Sequence, residues 1–315
     1  MVKDLTVPVH LAVWPIKLAE PNFPMGMFLA GPADSYLALD QSGESYWAAW
    51  KNILEDARAH GQTSIDPAIQ IPLKQIANGK AEIDFKQADR FMELARAAGF
   101  TQELNGYAIG TGFKMKVPVD YDAEAKRFGV GSYAEIVKAY FDAVREHAKE
   151  KNWLPICFCT DDEYIVHPNG NPETLAGLHR VLQENAPGFH FVAYDSAYLE
   201  DQPKTRAERE KMIGDIDTWG PGLHGPLDEA AVKKGHRLWL YNTGMNRFTF
   251  GTYMFYARKK HNVSGFFQWV YNGGGTYNNF YLASHQEANY GVTYPSTRGL
   301  RSTPIWERIR EGCND

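Results

Sequence analysis

A chain of 315 residues with 44% hydrophobic and 23% charged side chains can bury a large core and exceeds one small domain. Its net charge of −5, without any Lys/Arg run, argues against nucleic acid or anionic membrane as a partner, and no apolar stretch reaches the roughly 20 residues of a membrane-spanning helix. Three cysteines cannot build a disulfide framework, and HExxH, GxxxxGKS/T and a strand-linked GxGxxG are missing, so chemistry without a metal or nucleotide cofactor is the expectation.

Strand-like and helix-like runs alternate along nearly the whole chain. MGMFL, from Met25 to Leu29, is the first predicted strand; SYWAAWKNILEDARAHG follows as a helix, with Tyr46, Trp50, Ile53, Leu54 and Ala57 at helical spacing and Gly61 as its stop. SIDPAIQI is the second strand, and DFKQADRFMELARAAG a helix with Asp84 as N-cap and Gly99 just past its end. LNGYAIG is the third strand. After a polar insertion, Ser132 and Glu135 form a capping box that opens a helix with Ile136, Tyr140 and Val144 on its buried stripe. LPICFCT is the fourth strand, and Asn171-Pro172 starts the helix behind it. FHFVAYD, GDIDTW, RLWLYNT and SGFFQWVYN supply strands five to eight, with a helix in RFTFGTYMFYARKKHN and a last one opened by Thr303-Pro304.

Eight β-then-α units predict a (β/α)8 TIM barrel over residues 23–315. An open doubly wound sheet is the alternative, and it would more often carry a glycine fingerprint at its first turn. Residues 1–22 read as a linker and the terminal strand of a preceding β domain, because Val7 to Pro21 alternates. WERIREGCND stops mid-helix, so the expectation is a piece of a longer chain, with any export signal upstream of Met1.

In such a barrel the C-terminal strand ends share one mouth. Those ends carry Asp66, Tyr107, Asp161-Asp162-Glu163, Asp195, Asp217 with Trp219, Tyr241-Asn242, and Trp269 with Tyr271 and Asn272. Acids and aromatics with few cations suit a neutral polyhydroxylated substrate better than a phosphate, which would call for Arg, Lys or a glycine-bounded helix start. Simple alternation from Phe158, expected to pack on outer helices, sends Glu163 toward the lumen; Asp162 reaches the mouth only if the chain turns there. Carboxylates this crowded cannot all ionise cheaply, so one is expected to keep a proton for donation to a leaving glycosidic oxygen. In many retaining barrel glycosidases a nucleophile follows strand seven, but here that strand ends LWLYNTG. Adjacent Asp and Glu suggest instead that the substrate's own 2-acetamido oxygen attacks the anomeric carbon. The alternatives are a two-carboxylate glycosidase using Glu163 with Asp217 or Asp195, and a barrel that only binds carbohydrate. Gly273 to Gly275 reads as a connection or a lid, and His167 stands close enough to Glu163 to tune it.

The Asp-Glu strand end, LWLYNT, Arg247 with GTYMFYARKKHNVSGFFQWVYN, and YPSTRGLRSTPIWERIREGCND together resemble glycoside hydrolase family 123, the exo-β-N-acetylgalactosaminidases. The resemblance implies a β-sandwich ahead of the barrel and a carbohydrate substrate. It also implies that Asp162 orients the acetamido group and Glu163 is the acid/base, while Trp219, Tyr241, Arg247 and Trp269 shape the sugar pocket. The family usually follows Asp-Glu with Pro, where this chain has Tyr164, and the extra Asp161 leaves two aspartates as candidates for the orienting role. Asp217, Asn242 and Tyr271 complete the expected substrate-binding set, and no metal ligand is expected.

Overall fold

The computed structural model describes residues 8, 15, 20–29, 31–32, 43–164, 170–195, 207, 210–212, 214–222, 232–272, 291–294, 296 and 299–315. Most of Val7 to Pro21, together with His167 and Gly273 to Gly275, therefore lies outside the described residues.

The chain folds as a (β/α)8 barrel. In order it forms β1 (Met25–Met27), α1 (Gly43–Ala59), β2 (Leu73–Ala77), β3 (Lys80–Ile83), α2 (Lys86–Ala97), β4 (Leu104–Gly106), α3 (Tyr121–Phe128) and α4 (Tyr133–Lys151). Then come β5 (Ile156–Asp162), α5 (Pro172–Asn185), β6 (His190–Asp195), β7 (Thr218–Pro221) and β8 (Arg237–Tyr241). A π-helical turn at Thr249–Tyr253 runs into α6 (Met254–His261), and β9 (Gly265–Gln268), β10 (Thr293–Tyr294), β11 (Arg301–Ser302) and α7 (Pro304–Asn314) complete the chain. Seven strands make one parallel sheet in the order β1-β9-β8-β7-β6-β5-β4.

The gap between β1 and β4 is closed by residues 63–66, within and just ahead of the predicted second strand. Thr63 and Ser64 donate to Met25 O, Asp66 donates to Met27 O, and Ile65 O accepts from Asn105. That segment supplies the eighth stave without forming a regular ladder. It lies so close to β1 that a Cβ at Gly26 would collide with the Ser64 carbonyl, so glycine is what lets the seam shut.

Two apolar layers follow from strand alternation. Cys157, Cys159, Val192, Tyr194, Trp239, Tyr241 and Phe267 fill the lumen. Phe158, Phe191, Trp219, Leu240 and Phe266 face the helices, where Phe141 of α4 meets Phe158 edge-on at 5.2 Å. The expected capping box is present: Ser132 Oγ accepts from Glu135 N (3.3 Å) and Glu135 reaches back to Gly131 N (3.3 Å). Asn171 caps α5 through Glu173 N (2.9 Å), and Thr303 caps α7 through Trp306 N (3.3 Å). Asp84 is not the N-cap of α2; Phe85 is, and Asp84 accepts the Lys86 N–H (3.2 Å) from just outside the helix. The β2–β3 hairpin falls between two predicted elements where none was assigned, and α3 within the polar insertion. No helix among the described residues is long and apolar enough to cross a membrane.

Candidate active site

The site is built by an irregularity in β5. Its register against β6 runs Cys157↔His190, Phe158↔Phe191 and Cys159↔Val192, then slips by one to Asp161↔Ala193 and Asp162↔Tyr194. The extra residue is a β-bulge, which reverses the alternation beyond it. Asp161 consequently pairs with helix-facing Ala193 and is buried, its Oδ1 accepting the Tyr164 N–H at 2.9 Å. Asp162 pairs with Tyr194 and takes the lumen side. Glu163 adopts a left-handed backbone (φ 56°) and donates its N–H to Tyr194 O at 2.8 Å, which turns its side chain back over the mouth. The bulge is braced from behind: His179 Nε2 and Thr160 Oγ1 are 2.7 Å apart, and the threonine donates to Val192 O (3.1 Å). His179 Nδ1 accepts the Asp217 N–H at 3.5 Å, so the ring serves as a neutral bridge, and burial lowers its pKa to about 4.

A hollow of about 290 Å³ opens where Asp162 and Glu163 emerge. Phe28, Tyr107, Tyr194, Tyr241 and Trp269 wall it, with Asn242 at one side. Among the described residues Asp162 and Glu163 are its only carboxylates. Tyr107 donates to Asp162 Oδ2 at 2.6 Å and Tyr241 to Glu163 Oε1 at 2.5 Å. Burial, reinforced by the Asp162 charge, pushes the Tyr107 hydroxyl far above its ordinary pKa, so it stays a proton donor. The aromatic walls brace one another: Phe28 lies 5.0 Å from Tyr107 and 5.2 Å from Tyr194, and Tyr194 lies 5.1 Å from Tyr241. Asn242, itself left-handed (φ 52°), accepts the Trp269 N–H at 2.8 Å and so ties the end of β8 to the Trp269 wall.

The structure thus brings Tyr107, Asp162, Glu163, Tyr241, Asn242 and Trp269 together and keeps Asp161, Asp217, Trp219, Arg247 and Tyr271 out of the hollow. Asp217 precedes β7 and lies at the opposite end of the barrel. Its carboxylate accepts from Phe191 N (2.9 Å), Thr218 Oγ1 (3.0 Å) and His190 Nδ1 (3.2 Å). Burial alone would raise its pKa, but the His190 and Phe191 hydrogen bonds outweigh that and hold it below the ordinary range. Trp219 is buried against the helices because it pairs with helix-facing Ala193 and Leu238. Arg247 stands on the surface and binds Asp315, just past the end of α7, through Nε (2.7 Å) and Nη2 (2.8 Å). Tyr271 turns outward as well, donating to Asp56 of α1 at 2.7 Å and packing edge-on to Trp306 of α7. The side chain of Asp195 lies outside the described residues.

Phe28 and Tyr194 line the hollow unanticipated by sequence reasoning. Both sit at strand ends with alternation pointing inward, the signal that could have found them. A larger groove of about 830 Å³, between Phe23, the π-turn and α7, lies away from this carboxylate pair; the chemistry, not the volume, selects the smaller hollow.

Comparison with known proteins agrees with this architecture. No curated protein matches the chain in sequence. Among solved structures, an endoxylanase of glycoside hydrolase family 10 from a sugarcane soil metagenome superposes with a TM-score of 0.50 at 13% identity, covering 92% of this chain and 96% of that one. A family 39 β-xylosidase from Caulobacter crescentus gives 0.49 at 12%, covering 93% and 72%. The intracellular xylanase of Thermoanaerobacterium saccharolyticum in complex with xylotriose gives 0.48 at 12%, covering 79% and 86%. At such identity the endoxylanase likeness speaks to the barrel alone. The family model described as "Glycoside hydrolase 123, catalytic domain" matches residues 35–315, a span that includes the bulged strand and every wall of the hollow except Phe28. The chain belongs to glycoside hydrolase family 123.

Proposed function

We propose that this glycoside hydrolase acts exo on a β-linked 2-acetamido sugar, of the N-acetylgalactosaminide type, by a substrate-assisted retaining mechanism. The observation that carries the reading is the adjacent pair itself: Asp162 and Glu163 enter a hollow that holds no other carboxylate among the described residues. A two-carboxylate mechanism needs its second acid across the sugar, about 5 to 9 Å away. Of the two expected second acids, Asp217 is at the other end of the barrel, and the side chain of Asp195 lies outside the described residues.

In the first step the acetamido carbonyl oxygen bonds to the anomeric carbon as the glycosidic C–O bond breaks, and Glu163 gives its proton to the departing oxygen. Asp162 accepts a hydrogen bond from the amide N–H, which raises the carbonyl's nucleophilicity and steadies the positive charge of the oxazolinium ring that forms. In the second step the Glu163 carboxylate takes a proton from water as its oxygen attacks the anomeric carbon and the oxazoline reopens. Two inversions give net retention. Tyr107 and Tyr241 hold the two carboxylates at 2.6 and 2.5 Å, and Trp269 offers a flat wall for a sugar face. The hollow lies at the small end for ligand sites, which suits one ring rather than a chain and hence exo action.

Kinetics on paired aryl β-glycosides with and without the N-acetyl group test this. Turnover restricted to the acetamido substrate is expected, with Glu163→Gln lowering it by at least ~10²-fold. Equal turnover of both would remove the acetamido from the mechanism. A strong loss in Asp195→Asn would then favour the two-carboxylate reading, and sugar binding without hydrolysis would favour a carbohydrate-binding barrel.

A further inference from the structure

Tyr107, the donor to Asp162, is itself gripped by two groups to which the proposed chemistry assigns no part. On one side Asp66 ends the segment that closes the barrel. It is fully buried, and its Oδ1 accepts the N–H of Ala108, the residue after Tyr107, at 3.0 Å. Over the ring face lies Lys116, its Nζ 3.7 Å from the Tyr107 centroid. Lys116 comes from the loop ahead of α3, pinned to the bulged strand by a 3.1 Å hydrogen bond from Val117 N to Thr160 O. It makes no ion pair with a carboxylate among the described residues. A half-buried ammonium on an aromatic face is thus set beside the one tyrosine that holds the orienting aspartate.

A cation over a phenol ring is attracted by its π-face and draws electron density from the hydroxyl, making it a stronger donor. Asp66 opposes that effect when it carries a charge, because it then offsets Lys116. We propose that Asp66 and Lys116 are positioning residues that act through Tyr107, and that the balance of charge between them sets how firmly Asp162 is held for the acetamido group. The inference rests on the substrate-assisted reading above. Burial pushes the Asp66 pKa up to about 7, against the pull of the Ala108 N–H and of Lys116, so the balance changes near neutrality. The other titratable groups facing the pair are Tyr107 and Tyr194 beside Asp66, and Cys159 beside Lys116. Burial raises all three, Cys159 to about 12, and they stay protonated while Asp66 titrates.

The test is calorimetric binding of a sugar thiazoline, a mimic of the cyclised intermediate, across neutral pH. The proteins are wild type, Lys116→Met, Lys116→Arg and Asp66→Asn, each checked for native circular dichroism. Wild type should bind, more weakly as pH rises through the Asp66 transition. Lys116→Met should lose about 10-fold in affinity, Lys116→Arg should recover most of it, and Asp66→Asn should bind with a flattened pH dependence. Lys116→Met binding like wild type at every pH would overturn the inference while leaving the substrate-assisted reading intact. So would Asp66→Asn keeping the wild-type pH profile. Wild type failing to bind would overturn that reading, and this inference with it. Lys116 is half-buried, so its variants keep the test decisive even if Asp66→Asn does not fold.

Discussion

Asp161 and Asp162 are chemically identical neighbours with opposite fates. Asp161 is 1% exposed and spends Oδ1 on the Tyr164 N–H, fixing the turn that carries Glu163. Asp162 opens into the hollow and has Oδ2 taken by Tyr107, so the proposed mechanism assigns Oδ1 to the substrate amide. Asp161→Asn keeps an acceptor for Tyr164 and should hold kcat within about 3-fold of wild type, whereas Asp162→Asn should lose about 10²-fold. Steady-state kinetics on the acetamido substrate decides this, and the reverse order would move the orienting role to Asp161. Tyr107→Phe removes a hydrogen bond to a charged group, worth about 1.5–3 kcal/mol, and should lower kcat roughly tenfold or more with KM little changed. Asp66 has a consequence for stability as well. Its folded pKa of about 7 lies above the ordinary 3.8. The native state therefore binds more protons than the unfolded state between those values, and stability from this group is full below the lower value and lost as pH rises through the upper one. Urea titrations should show wild type losing ground to Asp66→Asn as pH rises from about 4 to about 7. A parallel course of the two curves would contradict that sign.

Two elements do most to place the site: the bulged β5 and the closing segment 63–66. Gly26→Ala would drive a methyl group into the Ser64 carbonyl, and overpacking of this kind costs about 1–3 kcal/mol. A lower urea midpoint should follow, with activity lost at lower denaturant; an unchanged midpoint would mean that the seam does not need its glycine. The sequence was most legible where the signals are local. Ser132 with Glu135, Asn171 with Pro172, and Thr303 with Pro304 each mark a helix start by satisfying backbone N–H groups, and the structure has all three. It was least legible where partners in space decide. Alternation along β5 alone puts Asp161 inward; the register slip against β6 puts it outward and turns Asp162 in, and nothing within the strand announces that slip. Asp217 was assigned to a strand end because GDIDTW was read as one strand, but β7 begins at Thr218, so Asp217 is at the opposite end of the barrel. Tyr271 and Trp219 follow the same rule, apolar enough for either face and sorted only by neighbours.

At the scale of the molecule, the hollow draws on strands from around the barrel: Phe28 just past β1, Tyr107 past β4, Asp162 at the end of β5 with Glu163 just past it, Tyr241 on β8 and Trp269 past β9. These residues meet only when the ring is closed, so a barrel opened along its seam would lose the site before it lost its helices. Family membership makes the chain a glycoside hydrolase, and the proposed reading takes the aromatic walls with two adjacent carboxylates as the seat of a single acetamido sugar. The most direct measurement is a crystal structure of this protein with the sugar thiazoline bound. The account predicts the sugar ring against Trp269, the thiazoline nitrogen within hydrogen-bonding distance of Asp162 Oδ1, and Glu163 beside the anomeric carbon on the leaving-group face. A ligand bound outside this hollow, or inside it with its nitrogen turned away from Asp162, would contradict it.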